Sequence, residues 1–338
     1  MSRFCLLRGL RQALGVAKDH AGMRSAPALQ AFALALAVAM LCTQWLAYSG
    51  QIDLKTAQPV RGSFSVVGLA VGGLLFGIGM TLARACGARA LVLLAGGNLR
   101  ALLTLLCMAV AAQATLTGVL FPVRQWLQGF GLVTLSHATV PAQLQAAGLS
   151  ANTALIVAAG LPIAALLFYA FWQPALRKSA LQMLGASIIG ALVATGWWIT
   201  AHIGIDPFEP VALTSLSFVG PVAESVLYLQ LAVGRALNIG PAIVAGALVG
   251  AAACALLMRN AQLEGFDSPG RLVATGIGGL LMGLGGVLAV GCTIGQGLSG
   301  MSTLAISSAV AAAAIVAGAL LALKLQTIFL NPTEGTSS

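Results

Sequence analysis

The sequence predicts an all-α, polytopic membrane protein made of two inverted repeats with broken, re-entrant half-helices. Three observations carry this prediction. The 338-residue chain is 59% hydrophobic and 7% charged, with a mean hydropathy of +0.97, whereas a soluble domain carries about 25% charged residues. Its apolar residues fall into runs of roughly 20, the length that crosses a bilayer as a helix. One stretch occurs twice without a gap, at residues 72–86 (GGLLFGIGMTLARAC) and 278–292 (GGLLMGLGGVLAVGC), 206 residues apart. The chain has only six cysteines, so a matched Cys closing both copies marks an internal repeat. Membrane repeats of this kind are mostly inverted, and their broken helices meet near the bilayer midplane. Cys86 and Cys292 are therefore both expected there.

Residues 1–28 hold Arg3, Arg8, Arg11, Lys18 and Arg24 against Asp19 alone. They are too polar to span, and their basic excess favours a cytoplasmic N-terminus. The first span is 29–48, followed by a polar loop at 51–62. Residues 64–83 are apolar and glycine-rich but end at Arg84-Ala85-Cys86-Gly87-Ala88-Arg89. The next apolar piece, 90–95, is too short to cross, so two half-helices are expected to meet at Cys86. Such breaks are tolerated in a bilayer only where they line a cavity or are buried in protein. Residues 99–121 form a span, and 122–150 a mixed loop with an interfacial helix around Trp126 and Phe130. Two further spans, 152–172 and 181–202, are separated by Arg177 and Lys178. Residues 211–233 are broken at Gly220-Pro221 with Glu224 beyond, which reads as a re-entrant hairpin. Residues 240–258 span. Residues 272–290 lead to Cys292 and a half-helix start at 293–297, and 303–323 close the membrane part. The repeats are expected at 1–175 and 176–330, with a disordered tail at 331–338.

The net charge of +9 does not point to nucleic acid, because no basic run is interleaved with aromatics. A positive interior favours an anion. Cys42, Cys107 and Cys254 lie mid-span without polar company and read as packed cysteines. Cys86 and Cys292 differ, because each precedes a half-helix whose first amides attract negative charge. Gly87, Gly295 and Gly297 leave backbone N–H groups open to a ligand, with Gln296 between the last two. The other glycines of both copies recur about every fourth residue and read as close helix packing. Arg84 and Arg89 flank Cys86, and charge within a membrane segment is costly and usually functional. No metal site, cofactor motif, paired carboxylates, Ser-His-Asp set or P-loop is visible, so no enzyme is expected.

At these residues the chain resembles the YeeE/YedE family of bacterial inner-membrane sulfur transporters. The first copy, continued through Ala90-Leu91-Val92 and Gly97-Asn98-Leu99-Arg100, is similar to the family's first Cys motif. Residues 289–300 (AVGCTIGQGLSG) resemble its second, and Ser2-Arg3-Phe4-Cys5 a third, which adds Cys5 to the candidate site. In the family a glycine-rich half-helix precedes that third motif. Here the chain starts at the motif, so either the natural start lies further upstream or this element is lost; if it is lost, Cys5 is expected to be solvent-exposed. The resemblance implies an hourglass of inverted repeats that imports thiosulfate or a related small sulfur anion past intramembrane thiols, with a soluble cytoplasmic sulfurtransferase as receiver. Two other readings compete: a membrane thiol or persulfide redox protein, and a structural subunit whose cysteines only pack.

Overall fold

In a bilayer each backbone polar group must be satisfied within the protein, which leaves helices as the economical element for so apolar a chain. The computed structural model describes residues 4–15, 26–203, 213–232, 238–259, 262–265 and 268–330, with backbone alone for 328–330. In order, the helices are α1 (Leu6–Ala13), α2 (Pro27–Tyr48), α3 (Val66–Ala83), α4 (Gly87–Ala95), α5 (Leu99–Leu116), α6 (Phe121–Gly129), α7 (Val140–Ala146), α8 (Ala151–Leu155), α9 (Leu161–Trp172), α10 (Pro174–Arg177), α11 (Ala180–His202), α12 (Val219–Gln230), α13 (Ile239–Leu257), α14 (Pro269–Leu288) and α15 (Ile306–Leu330). A π-helical turn, Ile156–Gly160, joins α8 to α9, and another, Gly295–Gly300, follows Cys292. Among the described residues eight segments are long and apolar enough to cross a membrane, counting Val66–Ala95 as one. The chain is a multi-pass membrane protein.

Local chemistry sets the helix starts. The Ser65 side chain accepts from Gly68 N–H at 2.9 Å, and the Asn98 side chain from Ala101 N–H at 3.2 Å. The Ser268 side chain caps α14, which has Pro269 in its first turn. Each supplies an acceptor for an otherwise orphaned amide. The expected mixed loop at 122–150 holds more order than its sequence signals. It contains α6 and α7 and a strand, Leu132–Thr134, paired antiparallel with Ser63–Ser65. The expected hairpin at 211–233 is not among the membrane-crossing segments of the described residues. Residues 211, 212 and 233 and the tail 331–338 lie outside the described residues. Residues 213–218 are not helical, and only the segment from Val219 forms a helix.

The centre of the molecule is the crossing of α3 and α14, the two helices that carry the repeated stretch. They run antiparallel with glycine against glycine. A Cβ on Gly72 would lie 2.8 Å from the Gly285 carbonyl oxygen, and one on Gly285 would lie 2.6 Å from that of Gly72. The same reciprocity joins Gly79 and Gly278, at 2.6 and 2.7 Å. Shifting the first pair by the 206-residue repeat yields the second. On their outer flanks, Gly73 and Gly77 abut α15 while Gly279 and Gly283 abut α5. Such small-residue faces let helices in lipid approach to backbone contact, where packing rather than hydrophobic expulsion supplies the attraction.

Gly285→Ala places a Cβ 2.5 Å from Phe76 N, an overpacking that costs about 1–3 kcal/mol. The expected result is a lower melting temperature and loss of the monodisperse peak of detergent-solubilised protein. Gly250→Ala, where nothing lies within 4 Å, should leave both unchanged.

Candidate functional site

The two copies end alike. Arg84 and Val290, 206 residues apart, both take left-handed backbone, with φ of 56° and 57°. Each donates its N–H back to a carbonyl three residues earlier, Arg84 to Thr81 and Val290 to Val287. Two residues later the chain is extended again at Cys86, the residue before α4, and Cys292 stands at the matching place. A left-handed non-glycine residue costs about 1–2 kcal/mol, so both breaks are held by their surroundings. Gln296 holds the second one. Its Nε2 donates to the Ala289 carbonyl at 2.8 Å and to the Val290 carbonyl at 3.0 Å.

Cys5 is not exposed, as loss of the preceding half-helix would have it. It is 4% exposed, beside 6% for Cys86 and 1% for Cys292. The physical reason is the amphipathic helix α1, which buries Leu6, Leu7, Gly9, Leu10 and Gln12. Gly9 sits so close to Leu29 that a Cβ would approach it to 2.7 Å. The Gln12 side chain accepts from Ala28 N–H at 3.3 Å, and the Phe4 ring stacks on Phe32 at 5.6 Å. The N-terminal segment is thereby pinned onto the start of α2, with Cys5 inside.

Three thiols are then linked by successive contacts. Cys5 and Cys86 lie side by side, close enough for one thiol to donate to the other. Cys86 also faces the Thr293 hydroxyl, next to Cys292. Each cysteine approaches the amide three residues on: Cys5 that of Arg8, Cys86 that of Arg89, and Cys292 that of Gly295, where the hydrogen bond closes at 3.3 Å. By contrast, Cys42 and Cys107 are partly exposed and Cys254 exposed, in keeping with packed or lipid-facing cysteines.

The remaining candidates divide. Arg89 reaches Cys5, and Arg11 lies within electrostatic reach of Cys5, Arg89 and Arg271. Arg84 is exposed at its left-handed turn. The glycines serve close contacts. A Cβ on Gly295 would meet Ser217 Oγ at 2.7 Å, one on Gly87 would meet Met108 Cε at 3.2 Å, and one on Gly297 would meet Phe32 Cζ at 3.3 Å. The Gly295 N–H is spent on Cys292 Sγ instead of standing open. Sequence reasoning passed over Thr293 as a side chain in its own right, although its place beside Cys292 was a usable signal. It had none for Arg11 and Arg271, which are brought in by helices far apart in the chain.

The chain matches the family described as Sulphur transport over residues 1–321. It is 29% identical over 273 residues to the thiosulfate transporter TsuA of Spirochaeta thermophila, covering 79% of each chain. It is 25% identical over 317 residues to the thiosulfate transporter TsuA of Escherichia coli K12, covering 88% of this chain and 81% of that one.

The contact between Cys5 and Cys86 has a direct test. A variant keeping these two cysteines and no others should form an intramolecular disulfide under mild oxidation, seen as a linked peptide by mass spectrometry. A variant keeping only Cys42, partly exposed on α2, and Cys254, exposed on α13, should form none.

Proposed function

The chain belongs to the sulphur transport family, and from that membership we propose that it imports thiosulfate, or a closely related small sulfur anion, across the bacterial inner membrane. It is a transport protein and not an enzyme. The observation that carries the reading is the line of three buried thiols, Cys292, Cys86 and Cys5, with the Thr293 hydroxyl between the first two.

The chemistry of the line suits the cargo. Thiosulfate is a dianion with a hard sulfonate end and a large, soft terminal sulfur. A neutral thiol is a weak donor, matched to that weak acceptor. The Cys292 sulfur accepts from Gly295 N–H, which leaves its own S–H free to donate into the path. The Thr293 hydroxyl is a harder donor, suited to sulfonate oxygen. A thiolate would repel the dianion, so Cys292 and Cys86 work as thiols in this proposal, while Cys5, its pKa lowered to about 5 by the hydrogen bond with Cys86 and by Arg89 against the opposing effect of burial, ends the path beside that guanidinium. Weak binding at successive positions lets an ion leave as readily as it enters.

The two repeats, 1–175 and 176–330, are inverted in the bilayer in this proposal. The reciprocal glycine contacts and the matched left-handed residues support that arrangement. With the basic N-terminus inside, the 51–65 loop faces outward, and the anion passes Cys292, then Cys86, then Cys5. Arg89, Arg11 and Arg271 gather at the inner end, where a soluble sulfurtransferase would receive it.

In a sulfur-source auxotroph that depends on this gene, Cys292→Ala is expected to abolish growth on thiosulfate at matched membrane expression. Cys292→Ser keeps a donor that suits oxygen better than sulfur, so thiosulfate uptake should still fall by about tenfold or more, the loss expected for a contact worth about 1.4 kcal/mol in the path. Wild-type uptake by both variants would reduce Cys292 to a packing role. A persulfide or thiosulfonate adduct on intact-mass analysis after substrate exposure would replace hydrogen-bonded passage with covalent transfer.

A further inference from the structure

Each half-helix that follows a cysteine ends in a turn clasped by another part of the chain. At the inner end, in the orientation proposed above, the turn between α4 and α5 is held by the loop between α13 and α14. Gln262 N–H donates to the Gly96 carbonyl at 3.1 Å, Glu264 N–H to that of Gly97 at 3.2 Å, and Leu99 N–H to that of Glu264 at 3.1 Å. At the outer end the turn before α15 is held by the segment at the start of α7. Val140 N–H donates to the Leu304 carbonyl at 3.0 Å, and Ile306 N–H to that of Ala138 at 3.1 Å. The two turns are built alike. Gly97 and Leu304 both take positive φ, 97° and 58°, and the next residue, Asn98 or Ala305, forms an isolated β-bridge to the clasping segment.

The clasps differ in their side chains. The outer bridge joins Thr139 to Ala305. In the inner one, Asn98 Nδ2 donates to Glu264 Oε2, and Arg100 Nη2 stands 4.0 Å from the same oxygen. Asn98 Oδ1 meanwhile accepts from Ala101 N–H at 3.2 Å, so one side chain both starts α5 and ties its turn to the opposite repeat. The pair is exposed, where such bonds exchange with water at little net cost. The clasped elements also frame the inner end of the path. α4 carries Arg89, which reaches Cys5, and α14 begins just beyond the clasping loop with Arg271 in its first turn. Arg11 of α1 lies within electrostatic reach of both arginines. A closable inner end has a physical reason: an inside-negative potential drives a dianion outward, so a path open at both ends would lose what it imports.

We propose that the inner clasp is the gate that releases the transported anion to the cytoplasm, with the Asn98–Glu264 pair as its latch. The proposal rests on the transport reading above. Opening the latch frees the α4–α5 turn, and with it the half-helix that starts at Cys86. The outer clasp has no such ionisable latch at its bridge, and its turn stays fixed while the inner one moves.

Asn98→Asp isolates the latch. The aspartate keeps an oxygen to cap α5 but replaces the amide donor with a second carboxylate, leaving two like charges to the one Arg100 guanidinium. Asn98→Asp combined with Glu264→Gln restores one donor and one acceptor with their places exchanged. The first readout needs no transport: thiol modification of the full chain in nanodiscs by a charged methanethiosulfonate, resolved by peptide mass spectrometry. Asn98→Asp is expected to speed modification of Cys5 and Cys86 about tenfold as the open state gains population, with Cys292 unchanged, and the double variant to return to the wild-type rate. The second readout is release of preloaded radiolabelled thiosulfate from proteoliposomes, which should rise about tenfold in Asn98→Asp and fall back in the double variant. Wild-type modification and release in Asn98→Asp, or a double variant that stays open, would reduce the clasp to a surface contact and overturn the proposal. If the wild type carries no thiosulfate, the transport reading fails on its own, and the modification rates still decide whether the clasp closes the inner end.

Discussion

Hydrocarbon offers no water to an unpaired peptide group, so a helix interrupted inside the bundle has to be completed by the protein around it. Two such interruptions, at 84–86 and 290–292, decide where polar chemistry is possible in this chain. At the second, the Gln296 amide takes up the carbonyls of Ala289 and Val290. The first has Ala90 at the matching position, and packs against Cys5 of the N-terminal helix instead. One solution to the same backbone problem is a side chain local to the repeat, and the other is a segment brought from elsewhere. The thiols follow from this, because each stands where the extended residue before a new helical turn places it.

The breaks become neighbours because the helices bearing them are thin. Reciprocal contacts of Gly72 with Gly285, and of Gly79 with Gly278, bring α3 and α14 to backbone distance. Larger side chains would hold the helices apart and move Thr293 off Cys86. The glycines of the half-helix starts serve a related need, since Ser217, Met108 and Phe32 fill the space a side chain would take. Packing and site are thus one arrangement, and a change that loosens the crossing also breaks the line of donors.

Charge is distributed to match. Cations gather at Cys5, where Arg89 and Arg11 lie within electrostatic reach, and at the 51–65 loop, where Arg124 acts on Arg61. Charge at such places raises the local concentration of an anion.

By itself the sequence determined the membrane class, the positions of the long helices, the repeat and the placing of Cys86 and Cys292 at its two ends. These are local properties: apolar run length, glycine spacing and a cysteine that recurs at a constant offset. The short elements between Phe121 and Ser150 were not legible, because three-residue strands carry no periodicity and exist only through pairing. Tertiary structure alone decided that Cys5 is buried, that it stands beside Cys86, and that Arg11 and Arg271 join Arg89. Those contacts depend on how α1 docks through Gly9, Gln12 and Phe4, and a docking of residues so distant in the chain leaves no mark in local pattern.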